Sequence, residues 1–146
     1  MLEEKNGVSF VTFDIFKTIP AVTAAVSTRC GGRSQGVFSA RNMSFASGEQ
    51  PDTIRANRRA YLQALHIDAA QIVCCNQVHG IHVEAVGKTA CGRGALTRDT
   101  AITACDGLIT NESNVPLTMN FADCTPLLLA DPVHHAIAVS HGGWRG

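Results

Sequence analysis

A chain of 146 residues, 45% hydrophobic and 16% charged, carries enough apolar material for one domain core and is lightly charged for a soluble protein. Its formal net charge of zero excludes the basic surplus that a long nucleic-acid footprint needs, although one or two arginines would still hold a small anion. The opening MLEEKNGVSF has early acids instead of a leader's bases, and no run approaches the roughly 18 apolar residues of a spanning helix. The expectation is a cytoplasmic protein, with no membrane and no nucleic-acid partner.

In chain order, VSFVTFDIF (8–16) is β-branched and aromatic and reads as a strand. KTIP is the turn after it, and AVTAAVSTR (21–29) reads as a second strand. CGGRSQGVFSARNMS (30–44) is a Gly-, Ser- and Asn-rich loop, of a length that is often functional. PDTIRANRRAYLQALHI (51–67) reads as a helix opened by Pro51 and Asp52, with Ile54, Tyr61, Leu62 and Leu65 on one face. Arg55, Arg58 and Arg59 fall on its expected solvent side. QIVCCNQVHGIHVEAV (71–86) reads as two strands broken at NQVHG, and residues 87–99 as a polar loop. DGLIT (106–110) is a short strand, and VPLTMNFADCTPLLLADP (115–132) is two apolar runs split at ADCTP. HHAIAVSHGG (134–143) is apolar on both faces, as a buried strand is. The sum is a mixed α/β (α+β) layout in a single domain, 1–146.

Six cysteines occur without a C-x-x-C pair, which disfavours a zinc ribbon or a thioredoxin-like site. Most are expected to be reduced, buried and small. His79, Cys124 and His141 each end an apolar run, where a sheet delivers side chains to a common pocket. Two imidazoles and a thiolate make a three-ligand zinc set with one open position. Taken singly, each histidine is also what a hydrogen-bonded turn contains, and Cys124 what a core contains. Asp123 suits a general base, a group orienting a ligand, or a turn cap before Pro126. Arg29 precedes Gly31–Gly32 in a loop able to hold an anion, although sequence alone favours a solvated loop arginine; Arg145 poses the same choice.

STRCGGRSQGVFSARNMS, NRR, NQVHG, DGLIT, ADCTPLLLADP and AVSHGGWRG together resemble the YfiH-type purine nucleoside phosphorylases, formerly called laccase-domain or polyphenol-oxidase proteins. The resemblance runs from about Val26 to Gly146. It implies an α-β-β-α sandwich with mixed sheets, and zinc held by His79, Cys124 and His141. It implies phosphorolysis of adenosine, inosine and methylthioadenosine, with adenosine deaminase activity. Partners are then a purine nucleoside and phosphate, in a monomer or weak homo-oligomer. Cys124, His79, His141, Asp123 and Arg29 are the candidate catalytic residues, and Arg29, Asn42 and Arg145 the candidate substrate contacts. Gly142, Arg41 and Met43 depart from the family pattern without touching a ligand.

The alternatives are a copper-binding polyphenol oxidase, a cysteine hydrolase acting through Cys124 with His79, and a non-catalytic fragment. Six histidines with no His-x-His pair argue against a multicopper laccase. Members of the family continue past GWRG, so a missing C-terminal part is expected. The strand holding His141 is then expected to have no downstream neighbour, to leave backbone groups unpaired and to fray.

Overall fold

Val8, Phe10 and Thr12 alternate with Ser9 and Val11, a period-two pattern that makes strand β2 and buries Val8 and Phe10. The computed structural model describes residues 1–144. The chain divides into two compact units, Met1–Ala69 and Ala70–Gly146.

In the first unit, β1 (Leu2–Lys5), β2 (Val8–Thr12) and β3 (Ala25–Ser27) form an antiparallel sheet with β2 in the middle. Asn6 and Gly7 join β1 to β2 with φ of 54° and 73°. Two left-handed residues suit a two-residue hairpin, because their twist matches that of the strands. The strand expected over 8–16 stops at Thr12, and Asp14–Lys17 turns into helix α1. The rings of Phe13 and Phe16 meet edge-on at 6.3 Å. Residues three apart meet across a helical turn but lie on opposite faces of a strand. Only Ala25–Ser27 of the run 21–29 is strand.

Helix α2 (Pro51–Ala64) opens as expected and ends three residues short of Ile67, where His66 is left-handed at φ 60°. Ile54, Tyr61 and Leu62 are buried, and the Phe10 and Tyr61 rings pack edge-to-face at 6.4 Å, seating α2 on β2. Arg58 is a correction. Expected on the solvent side, it is buried, its Nε donates to the Met43 carbonyl at 2.7 Å, and its guanidinium lies 4.4 Å from the Phe45 ring centre. Beside it, buried Asn57 donates to Ser34 Oγ and the Asn42 carbonyl, both at 2.8 Å, and accepts the Arg33 N–H at 2.8 Å. One side chain of α2 thus braces the Gly-rich loop at three points.

The second unit contains β4 (Val73–Cys74), β5 (Val83–Ala85), β6 (Gly107–Thr110), β7 (Leu117–Thr118), β8 (Thr125–Asp131) and β9 (Ala136–Gly142). β4 and β7 pair in parallel. The other four form a mixed sheet in the order β5-β6-β9-β8, with β5 and β6 parallel and the remaining pairs antiparallel. β9 is therefore an interior strand, paired along its length with β8 and partly with β6. This corrects the expectation that its backbone groups go unpaired, because β6 and β8, both upstream, flank it, and it accounts for its apolar sequence. Leu108 and Val139 are buried beside Val73, Cys105, Val115 and Met119, with Leu128 packed against them. The opposite face carries Val83, Ile109, Leu127 and Leu129, all exposed. No helix among the described residues is long and apolar enough to cross a membrane.

Candidate metal centre

Three chain segments deliver the side chains of this site. His79 lies in the loop between β4 and β5, Cys124 immediately precedes β8, and His141 is the penultimate residue of β9. The register sets His141 opposite Pro126, two residues beyond Cys124. One donor atom from each of His79, Cys124 and His141 lies within 4.8 Å of the other two. Cys124 Sγ is 3.9 Å from His79 Nε2, and the two imidazoles meet edge-to-face with centroids 4.7 Å apart. Phe121 packs against His141 at 5.7 Å and gives that ring an apolar neighbour. His141 is buried, Cys124 half-buried and His79 exposed, so the donor set opens to one side.

Two residues outside the sequence-based candidates hold this arrangement. Asp106, just before β6, is buried. Its Oδ1 accepts the His79 N–H at 3.0 Å and faces His141 Nδ1 at 2.9 Å. Its Oδ2 accepts the N–H groups of Val78 at 3.0 Å and Gly80 at 2.8 Å. Its backbone is fixed as well, accepting the His141 N–H at 2.8 Å and donating to the His82 carbonyl at 2.9 Å. Burial pushes the Asp106 carboxyl up, but Gly80, the His141 ring, Val78 and His79 outweigh it and hold the group below the usual carboxylate range. Gly107 follows because a Cβ there would come within 2.7 Å of a Val83 methyl. The second residue is Gln77, whose side chain donates to the Asn120 carbonyl at 2.8 Å and accepts the Asn120 N–H at 3.0 Å. It ties the His79 loop to the segment leading to Cys124. Both residues stand in motifs quoted above, NQVHG and DGLIT, but their partners lie 26 to 43 residues away, out of reach of local spacing.

The other candidates are not among the three clustered donors. Asp123 is exposed. In the first unit, exposed Arg29 donates to the Ser39 carbonyl. The Asn42 amide donates to Ser47 Oγ at 2.5 Å and to Glu49 Oε2 at 2.8 Å within its own loop. Arg145 lies outside the described residues.

The donor set suits a borderline-soft ion: two imidazoles and a thiolate supply three positions, and the open side leaves a fourth. Cys75 and Cys105 differ in kind, being buried. Burial pushes the thiols of Cys75 and Cys105 up, which keeps them protonated core groups.

Among curated proteins, the chain is similar to purine nucleoside phosphorylase YlmD of Geobacillus stearothermophilus, 37% identical over 84% of this chain and 45% of that protein. It is 36% identical to purine nucleoside phosphorylase YlmD of Bacillus subtilis over 86% of this chain and 45% of that one. The crystal structure of the Geobacillus YlmD superposes with a TM-score of 0.85 at 34% identity, over 99% of this chain and 52% of its own. That of Bacillus licheniformis hypothetical protein YfiH gives 0.89 at 28%, over 99% and 53%. These likenesses agree with the mixed α/β fold and mixed sheets expected. The chain spans about half the length of the relatives it matches. Residues 23–146 match the model of the family described as multi-copper polyphenol oxidoreductase laccase, and it is to this family, alongside YlmD- and YfiH-type proteins, that the chain belongs.

Proposed function

We propose that this chain carries the metal-holding part of a zinc-dependent purine nucleoside phosphorylase. The observation behind the reading is the convergence of His79, Cys124 and His141 from three separate segments, and the names of the relatives support it. Zinc bound by that set supplies a Lewis acid with one open coordination position. In the reaction, a phosphate oxygen forms a bond to C1′ of the ribose as the bond from C1′ to the purine nitrogen breaks. The base leaves with the bonding pair and takes up a proton. Arg29 is the proposed phosphate contact, because a planar guanidinium binds phosphate through two hydrogen bonds. Asn42 and Arg145 are proposed as further substrate contacts.

A finer part of the proposal is adenosine deamination, in which water adds at C6, ammonia leaves and inosine forms. Asp123, exposed and next to Cys124 in sequence, or Cys124 itself is the proposed proton carrier. Copper is the rival ion, because Cu²⁺ binds such ligands more strongly than Zn²⁺. Metal analysis of protein produced without added copper is expected to return zinc. We also propose that residues 1–146 belong to one domain that is incomplete at its C-terminal side, in a monomer or weak homo-oligomer.

The deciding experiment follows inosine with and without phosphate. Hypoxanthine is expected only with phosphate, together with ribose 1-phosphate. Equal base release without phosphate identifies a hydrolase. No turnover with intact metal identifies a binding module. Alkylation that stops turnover without releasing metal favours a Cys124 nucleophile.

A further inference from the structure

We infer that Asp106 is the positioning residue of the metal centre, fixing both histidine ligands through one carboxylate before any ion arrives. The inference rests on reading His79, Cys124 and His141 as metal ligands. His79 has φ 59°, in the left-handed region, which is costly for a residue with a Cβ. The three successive N–H groups of Val78, His79 and Gly80 all point at Asp106, so its negative charge stabilises the turn that carries the exposed ligand.

The same Oδ1 that receives the His79 N–H also faces His141 Nδ1 at 2.9 Å. An ionised carboxylate only accepts, so the imidazole proton belongs on Nδ1 and the His141 lone pair on Nε2. Nε2 is then the nitrogen offered to the ion, made more basic by the carboxylate behind it. Asp106 is itself held, because His141 N–H and Ser140 Oγ donate to its carbonyl at 2.8 and 3.2 Å. One acidic residue thereby fixes the backbone of one ligand and the tautomer of the other. Asparagine cannot do both. With its oxygen toward His141, its NH₂ opposes the N–H groups of Val78 and Gly80; flipped, it opposes His79 and His141.

The test uses the 146-residue chain labelled with ¹⁵N, with long-range ¹H–¹⁵N spectra read first without metal. His141, assigned by loss of its signals in His141→Gln, is expected as the Nδ1–H tautomer. An Nε2–H tautomer there overturns the inference with no variant needed. Cobalt(II) titration then compares the chain with Asp106→Asn and Asp106→Glu. Asp106→Asn is expected to lose the tautomer preference and bind Co²⁺ roughly 10–100-fold more weakly. Its ligand-field bands are expected to shift while the thiolate charge-transfer band of Cys124 persists. Unchanged tautomer and affinity in a folded Asp106→Asn overturn the role. Failure of the unaltered chain to bind Co²⁺ removes the metal reading and the role with it. Absence of phosphorolysis, with tautomer and Co²⁺ results as expected, counts against the proposed reaction alone.

Discussion

Asn57 and the three candidate ligands show how differently single residues contribute here. Asn57 is 1% exposed and uses both ends of its amide on the loop at 33–42. Replacing it with Leu strands buried polar partners, at roughly 1–3 kcal/mol for each group left without a bond. Asn57→Leu is therefore expected to lower the denaturant midpoint markedly with an unchanged slope. On the proposed metal reading, His79, Cys124 and His141 carry the opposite signature, contributing through the ion. His79→Ala, Cys124→Ala and His141→Ala are each expected to weaken zinc by at least about 10–100-fold. Full zinc in all three purified variants defeats the ligand set.

The residues that sequence made legible and those it hid differ in one respect. His79, Cys124 and His141 were visible because each ends an apolar run. Asp106 and Gln77 were not, because what they hold lies 26 to 43 residues away. Arg58 misled for a related reason. Helical periodicity placed it with Arg55 and Arg59, while its burial depends on the Phe45 ring and the Met43 carbonyl in another segment.

Among the elements, α2 was the easiest to read, because Pro51 and Asp52 mark its start and one apolar stripe marks its buried side. The strands were harder. β-branched residues at 8–16 and 71–86 occur in and out of strand alike, and only pairing decides between them. The contact of α2 with the first sheet has a pH consequence. Burial pushes the Tyr61 hydroxyl up to about 12, against the lowering pull of the Arg41 charge. The folded chain keeps a proton that the unfolded chain loses near pH 10, so this contribution is complete below pH 10 and disappears as pH rises toward 12. Moving this ionisation from near 10 to about 12 corresponds to about 2–3 kcal/mol. Tyr61→Phe is expected to flatten the alkaline limb of the stability curve. It also loses about 1 kcal/mol at neutral pH with the bond to the Ala25 carbonyl. An unaltered alkaline limb removes this assignment.

For the whole molecule, the reading as one domain makes a calorimetric statement. The two compact units are expected to unfold in a single transition whose van't Hoff and calorimetric enthalpies agree. Two separable transitions count against it. If the proposed phosphorolysis holds for a protein extended past Gly146, Arg29→Ala is expected to raise its KM for phosphate well above any change for the nucleoside. Equal changes in both remove Arg29 from phosphate binding.

The outward face of the four-stranded sheet has a colloidal consequence. Leu129 is 58% exposed, Val83 50%, Leu127 46% and Ile109 38%. In register, Ile109 and Leu129 both oppose Ala138 on β9, and Leu127 opposes Ser140, so small residues separate the large ones. The outcome is a shallow greasy trough running across the strands, and net charge is zero, so little long-range repulsion keeps two molecules apart. Second virial coefficients near neutral pH should be negative and only weakly salt-dependent, since screening has little repulsion to remove. Leu127→Thr with Leu129→Thr should move them toward zero and dim the fluorescence of an apolar dye, leaving the melting temperature nearly untouched.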